Sequence, residues 1–234
     1  MKLLLTSAGI TNKKIADALL DLVGKKADEI SVAFIPTAVN VDRNDKSWYI
    51  DNLYQLKQQK YKMVDIVDIS ALPKEIWLPR LEAADVLFFS GGNSPHLMRW
   101  VEESGLKELL PNLLKTKVYA AISAGSVIAS PTLALSNPTK VNSYKEQFRY
   151  DAGKGLDLID FYTRPHFNSP AFPNAAEKVL AEVAEKIKKP LYALGDQTAL
   201  KVIDGKVGVV GEGDYFIFNK QHAHENTKTQ NSSR

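Results

Sequence analysis

Few side chains in this sequence can do covalent chemistry. There is no cysteine, which removes thiol nucleophiles, thiolate metal sites and disulfides together, so a covalent catalyst must use an oxygen or an amine. The segment Val118-Tyr119-Ala120-Ala121-Ile122-Ser123-Ala124-Gly125-Ser126 runs a hydrophobic strand directly into a serine among small residues. A serine on a sharp strand-to-helix turn holds its hydroxyl above the sheet, and the N–H of the next residue, Ala124, points toward a developing oxyanion. Ala121 stands at the first glycine of the usual G-x-S-x-G pattern, a departure that a small side chain tolerates. The same segment also fits a serine that only caps a helix.

A serine nucleophile needs a base and the base needs an orienting acid. Of the four histidines, His222 and His224 fall in the polar C-terminal stretch and His96 sits at a helix start, where a structural role is expected. His166, in Arg164-Pro165-His166-Phe167-Asn168, follows an apolar strand-like run and is the candidate base. The acids between Ser123 and His166 are Glu146, Asp151, Asp157 and Asp160, whereas Glu177, Glu182 and Glu185 recur at helical spacing as a solvated face. Asp196 follows Leu191-Tyr192-Ala193-Leu194-Gly195 at a strand end, where sites of open α/β sheets assemble. It is the expected acid, with Glu146 and Asp157 behind it.

A second loop, Ser90-Gly91-Gly92-Asn93, follows the apolar run Val86-Phe89. Two glycines there turn the backbone tightly and present bare N–H groups, which suits either a phosphate or an oxyanion hole. Neither G-x-G-x-x-G nor G-x-x-x-x-G-K-[ST] occurs, so a nucleotide reading is weak. The histidines have no clustered carboxylates around them, so no metal and no cofactor are expected.

The elements that must position these residues are legible as short branched apolar runs alternating with helical periods, the pattern of a parallel sheet covered by helices. The runs Lys2-Leu5, Val32-Pro36, Met63-Ile66, Val86-Phe89, Val118-Ile122 and Leu191-Leu194 read as its strands. Ile15, Leu19, Leu22 and Val23, and then Tyr49, Leu53 and Leu56, mark amphipathic helices between them. Residues 131–165, with Pro131, Pro138, Gly153 and Gly155, read as long loops with room for a hairpin. Alternation across Ala199-Ile203, Val207-Val210 and Tyr215-Phe218, with the turn pair Asp204-Gly205, predicts a small antiparallel C-terminal appendage. The fold class is therefore α/β, a three-layer sandwich on a mainly parallel sheet. The 234 residues fit one domain over 1–220, followed by a polar stretch, 221–234, expected to be disordered.

Thirty basic against 27 acidic residues leave a formal charge of +3 without a dense basic block, which gives nucleic-acid binding no support. The apolar start Leu3-Leu5 is too short for a signal h-region, and no run approaches the roughly 20 apolar residues of a membrane span, so a cytoplasmic protein with no membrane partner is expected.

In order and spacing, Ser90-Gly91-Gly92-Asn93, Ile122-Ser123-Ala124-Gly125-Ser126 and Pro165-His166-Phe167-Asn168 together resemble the peptidase E family of serine peptidases, relatives of cyanophycinase with a class I glutamine amidotransferase-like fold. The resemblance implies Ser123 as nucleophile, His166 as general base, the N–H groups of Gly92 and Ala124 as oxyanion hole, and Gly91, Asn93 and Asn168 as substrate-binding neighbours. Asp196 matches a position that is acidic in relatives. Peptidase E proper has a further aspartate after the nucleophile, where this chain reads Asn137-Pro138. It removes N-terminal aspartate from dipeptides with the help of a basic residue beyond the histidine motif, yet no arginine lies between Phe167 and Leu200. Arg149 and Arg164 are the cations left to supply one. The implied partner is a small peptide substrate. An esterase, amidase or cyanophycinase-like hydrolase on the same fold, and a noncatalytic small-ligand module at Gly91-Gly92, are the alternatives.

Overall fold

The computed structural model describes residues 1–220, so the polar stretch 221–234 lies outside the described residues. In chain order the elements are β1 (Lys2–Thr6), α1 (Lys13–Val23), β2 (Ser31–Ile35), α2 (Ser47–Gln58), β3 (Met63–Ile66), α3 (Lys74–Ala83), β4 (Val86–Phe89), α4 (Ser94–Glu103), α5 (Leu106–Leu113), β5 (Val118–Ile122), α6 (Ala124–Ile128), α7 (Pro138–Phe148), β6 (Tyr162–Pro165), α8 (Glu177–Ile187), β7 (Leu191–Leu194), β8 (Thr198–Ile203), β9 (Lys206–Gly211) and β10 (Tyr215–Phe218).

A seven-stranded sheet in the order β3-β2-β4-β5-β1-β8-β9 forms the middle layer. Its first five strands are mutually parallel, and β8 and β9 are added antiparallel. Side chains alternate across it. Leu3, Leu5, Ala33, Ile35, Leu87 and Phe89 pack against Trp77, Leu97, Met98 and Leu110 of α3, α4 and α5. Leu4, Val32, Phe34, Val86 and Phe88 face Ile15, Leu19 and Leu22 of α1 and Leu56 of α2. A sheet buried on both faces explains why its strands are continuous apolar runs rather than alternating ones.

Two expectations are corrected. The run Leu191-Leu194 is a strand, but β7 lies in a separate three-stranded sheet, β10-β7-β6, because the place beside β1 is taken by β8. A four-residue buried run carries no information about which sheet it joins. The antiparallel hairpin expected at the C-terminus is present: it turns at Asp204-Gly205, with φ of 47° and 81°, and β8 and β9 end the central sheet, while β10 crosses to the small one. The segment read as loops contains α7, whose only buried residue is Tyr144, so no apolar stripe betrays it. Its start was nevertheless marked by Asn137, whose side chain caps Thr139 and Lys140 N–H groups, and by Pro138 in the first turn.

Register sets the site. Pairing of Thr6 with Ile122 and of Phe89 with Ala121 brings the carboxyl ends of β1, β4 and β5 level. Pro165 of β6 pairs with Leu194 of β7, so the residues just beyond each emerge together. The turn from β7 to β8 carries the chain back beside β1, where Ala199 opposes Thr6. Among the described residues no helix is long and apolar enough to cross a membrane.

Candidate active site

Ser123 follows β5 at φ 43° and ψ −100°, a left-handed backbone that no ordinary helix cap requires. Its N–H donates to the Thr6 carbonyl at 3.1 Å, and α6 begins at the next residue. The turn is tight enough to dictate its neighbours. A Cβ on Gly125 would stand 2.8 Å from both Cβ and the carbonyl oxygen of Phe89, and 3.1 Å from the Ala121 side chain. Ser126 Oγ donates to the Thr6 carbonyl at 2.8 Å, which pins α6 to the sheet.

His166 also adopts a left-handed backbone, φ 63°, just past β6. Its Nε2 lies 2.9 Å from Ser123 Oγ, and its Nδ1 lies 2.7 Å from Asp196 Oδ1. The ring is stacked on Phe172, centroids 4.0 Å apart and planes within 10°. Asp196 is not enclosed: its side chain is 47% exposed. The hydrogen bond from His166 is the main cause that holds its carboxyl below the usual carboxylate range, and a bond from Ser7 adds to it. With an ionised acid on Nδ1, the imidazole keeps its proton there and turns the Nε2 lone pair to the serine.

Ser7, at the end of β1, was not foreseen. It is fully buried, its Oγ donates to Asp196 Oδ1 at 2.9 Å, and the same oxygen accepts the His166 backbone N–H at 2.8 Å. Phe172 was missed as well. Only the apolar run before Ser7 signalled a strand end there; nothing local marks either residue as a partner of His166.

Of the remaining candidates, Gly92 and Ala124 line the cleft beside Ser123, a solvent-open space of about 450 Å³. Gly92 has φ 131°, and a Cβ there would lie 2.2 Å from the Ala38 carbonyl oxygen, so only glycine fits. Gly91, Asn93 and Asn168 are not among the residues lining this cleft, and each has other contacts. Gly91 is packed between Trp48 and the Ser123 Cβ. Asn93 is buried, its Oδ1 capping the His96 N–H of α4 at 2.9 Å and its Nδ2 donating to Asp42 at 2.9 Å. Asn168 Oδ1 accepts the Glu177 N–H at 3.1 Å at the start of α8. Asparagine's short amide serves helix starts in both places.

Glu146 and Asp157 are exposed and make no bond to His166. His96 packs among Trp100, Tyr144 and Phe148, with Nδ1 2.9 Å from the Tyr144 hydroxyl, and burial lowers its pKa. Arg149 is exposed at the end of α7, whereas Arg164 is buried against the cleft. Among the described residues no three His, Asp or Glu side chains gather as a metal-ligand set. A hydroxyl, an imidazole and a carboxylate joined in sequence, with backbone N–H groups beside the hydroxyl, is an arrangement suited to acyl transfer.

Residues 3–210 match the family model described as peptidase family S51. The chain is 28% identical over 171 residues to an uncharacterized peptidase of Listeria monocytogenes, covering 73% of this chain and 80% of that protein. It is 25% identical over 194 residues to peptidase E of a Nostoc species, covering 80% of this chain and 75% of the relative. The crystal structure of a Listeria monocytogenes protein described as a candidate peptidase E superposes with a TM-score of 0.73 at 24% identity, covering 91% of this chain and 98% of the other.

Proposed function

The chain belongs to peptidase family S51, and from that premise we propose that it is a serine peptidase of short peptides, working through an acyl-enzyme on Ser123. The observation that carries this reading is the unbroken chain from Ser123 Oγ through the His166 ring to Asp196, at 2.9 and 2.7 Å. Both distances fall in the range of a working base contact, about 2.6–3.2 Å.

In this mechanism Ser123 Oγ attacks the scissile carbonyl carbon as its proton passes to His166 Nε2. The oxyanion that forms accepts hydrogen bonds from the N–H groups of Gly92 and Ala124. The tetrahedral species collapses when Nε2 returns the proton to the departing amine and the C–N bond breaks. Water then attacks the Ser123 ester, losing its proton to Nε2, and the second tetrahedral species releases the acid product as the bond to Ser123 Oγ breaks and Nε2 returns that proton to Oγ. Asp196 stabilises the imidazolium that appears twice in the cycle. The left-handed Gly92 supports its assigned part, since a side chain there would clash with the Ala38 carbonyl and displace the loop.

A fluorophosphonate should label the wild-type protein at Ser123, and Ser123→Ala should abolish both labelling and hydrolysis, with turnover falling by roughly 10⁵- to 10⁶-fold and the melting temperature unchanged. Labelling that persists in Ser123→Ala would remove this serine from the mechanism. A panel of dipeptides and matched esters separates peptidase from esterase action.

A further inference from the structure

Arg164 is the part of the cleft that the proposed reaction leaves unused. It stands on β6 two residues before His166, is 6% exposed, and lines the cleft at Ser123. Nη1 donates to the Leu135 carbonyl and Nη2 to Asn174 Oδ1, both at 2.6 Å, while the buried Nε has no partner. No carboxylate of the described residues pairs with it, and burial alone pulls its pKa down to about 10, so it is charged at neutral pH. A buried guanidinium is ordinarily matched by an anion, because taking it out of water is costly. Ser136 Oγ, on a residue also 6% exposed, lines the same cleft and likewise has no partner. The cleft's other arginine or lysine, Lys140, is already bonded to Asp42 at 2.8 Å.

The guanidinium and the base share a strand and its following segment. Asn174, which holds it, follows closely on Phe172, whose ring is stacked on His166. The oxyanion donors come from different loops, after β4 and β5. The departing amine must be beside His166 Nε2, which protonates it, and in a dipeptide the residue bearing that amine also bears the free α-carboxylate. A carboxylate there would have the Arg164 charge as its partner and two donors not yet paired, Arg164 Nε and Ser136 Oγ, which must turn toward the cleft to reach it.

We propose that Arg164, assisted by Ser136, binds the α-carboxylate of the leaving residue, so that the protein selects peptides cleaved one residue from their C-terminus. This rests on the serine-peptidase reading. It gives Arg164 a carboxylate on the leaving side of the scissile bond, distinct from the side chain of an N-terminal aspartate.

The test uses a panel of dipeptides with varied first residues, each as free acid and as C-terminal amide. Binding to Ser123→Ala is measured by calorimetry, and hydrolysis by the wild type is measured as kcat/KM. The free acid is expected to bind and react about tenfold or more better than its amide. Arg164→Gln should bring the two within about twofold. Because that change also removes bonds to Leu135 and Asn174, Ser136→Asp is the second variant: it supplies the missing carboxylate from within, and should erase the preference while raising the melting temperature. Equal affinity for acid and amide across the panel, including no binding of either, overturns the proposal, as does a preference that survives both variants or one that follows an acidic first residue instead. A failure of the peptidase reading is separate, because it would abolish hydrolysis and labelling yet leave the acid-versus-amide difference in binding to Ser123→Ala.

Discussion

One hydroxyl, that of Ser7, holds both partners of the nucleophile: it donates to Asp196 and accepts from the backbone of His166. Ser7→Ala leaves a buried N–H unpaired, for which a cost of about 1–3 kcal/mol is expected in denaturant unfolding, together with about a tenfold loss of kcat. Asp196→Asn should lower kcat by about 10²- to 10³-fold, less than the roughly 10⁴-fold of a fully enclosed acid, because solvent screens a half-exposed carboxylate. Glu146→Gln and Asp157→Asn should stay near wild type, and kinetics on the four variants decides the acid. Since the native Asp196 pKa is depressed, its contribution to stability is complete above the ordinary carboxylate pKa, about 3.9, and is lost as pH falls through the lower native value. Melting curves from pH 6 to 2 should therefore drop more steeply for wild type than for Asp196→Asn. Ser123, His166 and Asp196 were readable because each closes an apolar run with a chemically distinctive side chain. Ser7 and Phe172 were not, because their partners are distant in sequence and their residue types are common. The capping bonds of Asn93 and Asn168 were not readable either, because motif position says nothing about which helix start takes up an amide.

The loop after β4 and the elbow after β5 are built on glycines that cannot be replaced without moving backbone. Gly92→Ala would drive a Cβ into the Ala38 carbonyl, and Gly125→Ala into Phe89. Each substitution is expected to cost about 1–3 kcal/mol by overpacking and to reduce kcat more than it raises KM, since what shifts is an N–H meant for the transition state. Parallel strands and both-face burial made the central elements easy to read. Helix α7 escaped because one buried residue sets no period, and β7 was assigned to the wrong sheet because a short apolar run names no neighbour. Caps and turns carried more information than periodicity here, as Asn137-Pro138 and Asp204-Gly205 show.

At the scale of the whole molecule, the nucleophile rises from the central sheet and the base from the small one, and Asp196 stands where the chain passes between them. The small sheet has its own core, in which Leu191 is fully buried with Leu180, Ala184 and Phe218. Leu191→Ala should destabilise by about 2–5 kcal/mol, and activity should fall with it as His166 loses its footing. The antiparallel pairing of β8 with β1 has a consequence for biosynthesis. Strand β1 cannot complete this edge until β8 has left the ribosome, and Asp196 arrives on the same late segment. A polypeptide arrested before residue 196 carries the nucleophile and the base but no counter-charge for the imidazole. Released protein should react with a fluorophosphonate quickly, and ribosome-bound chains stalled short of β8 should not, so that the reactivity of Ser123 is withheld until β8 has been made.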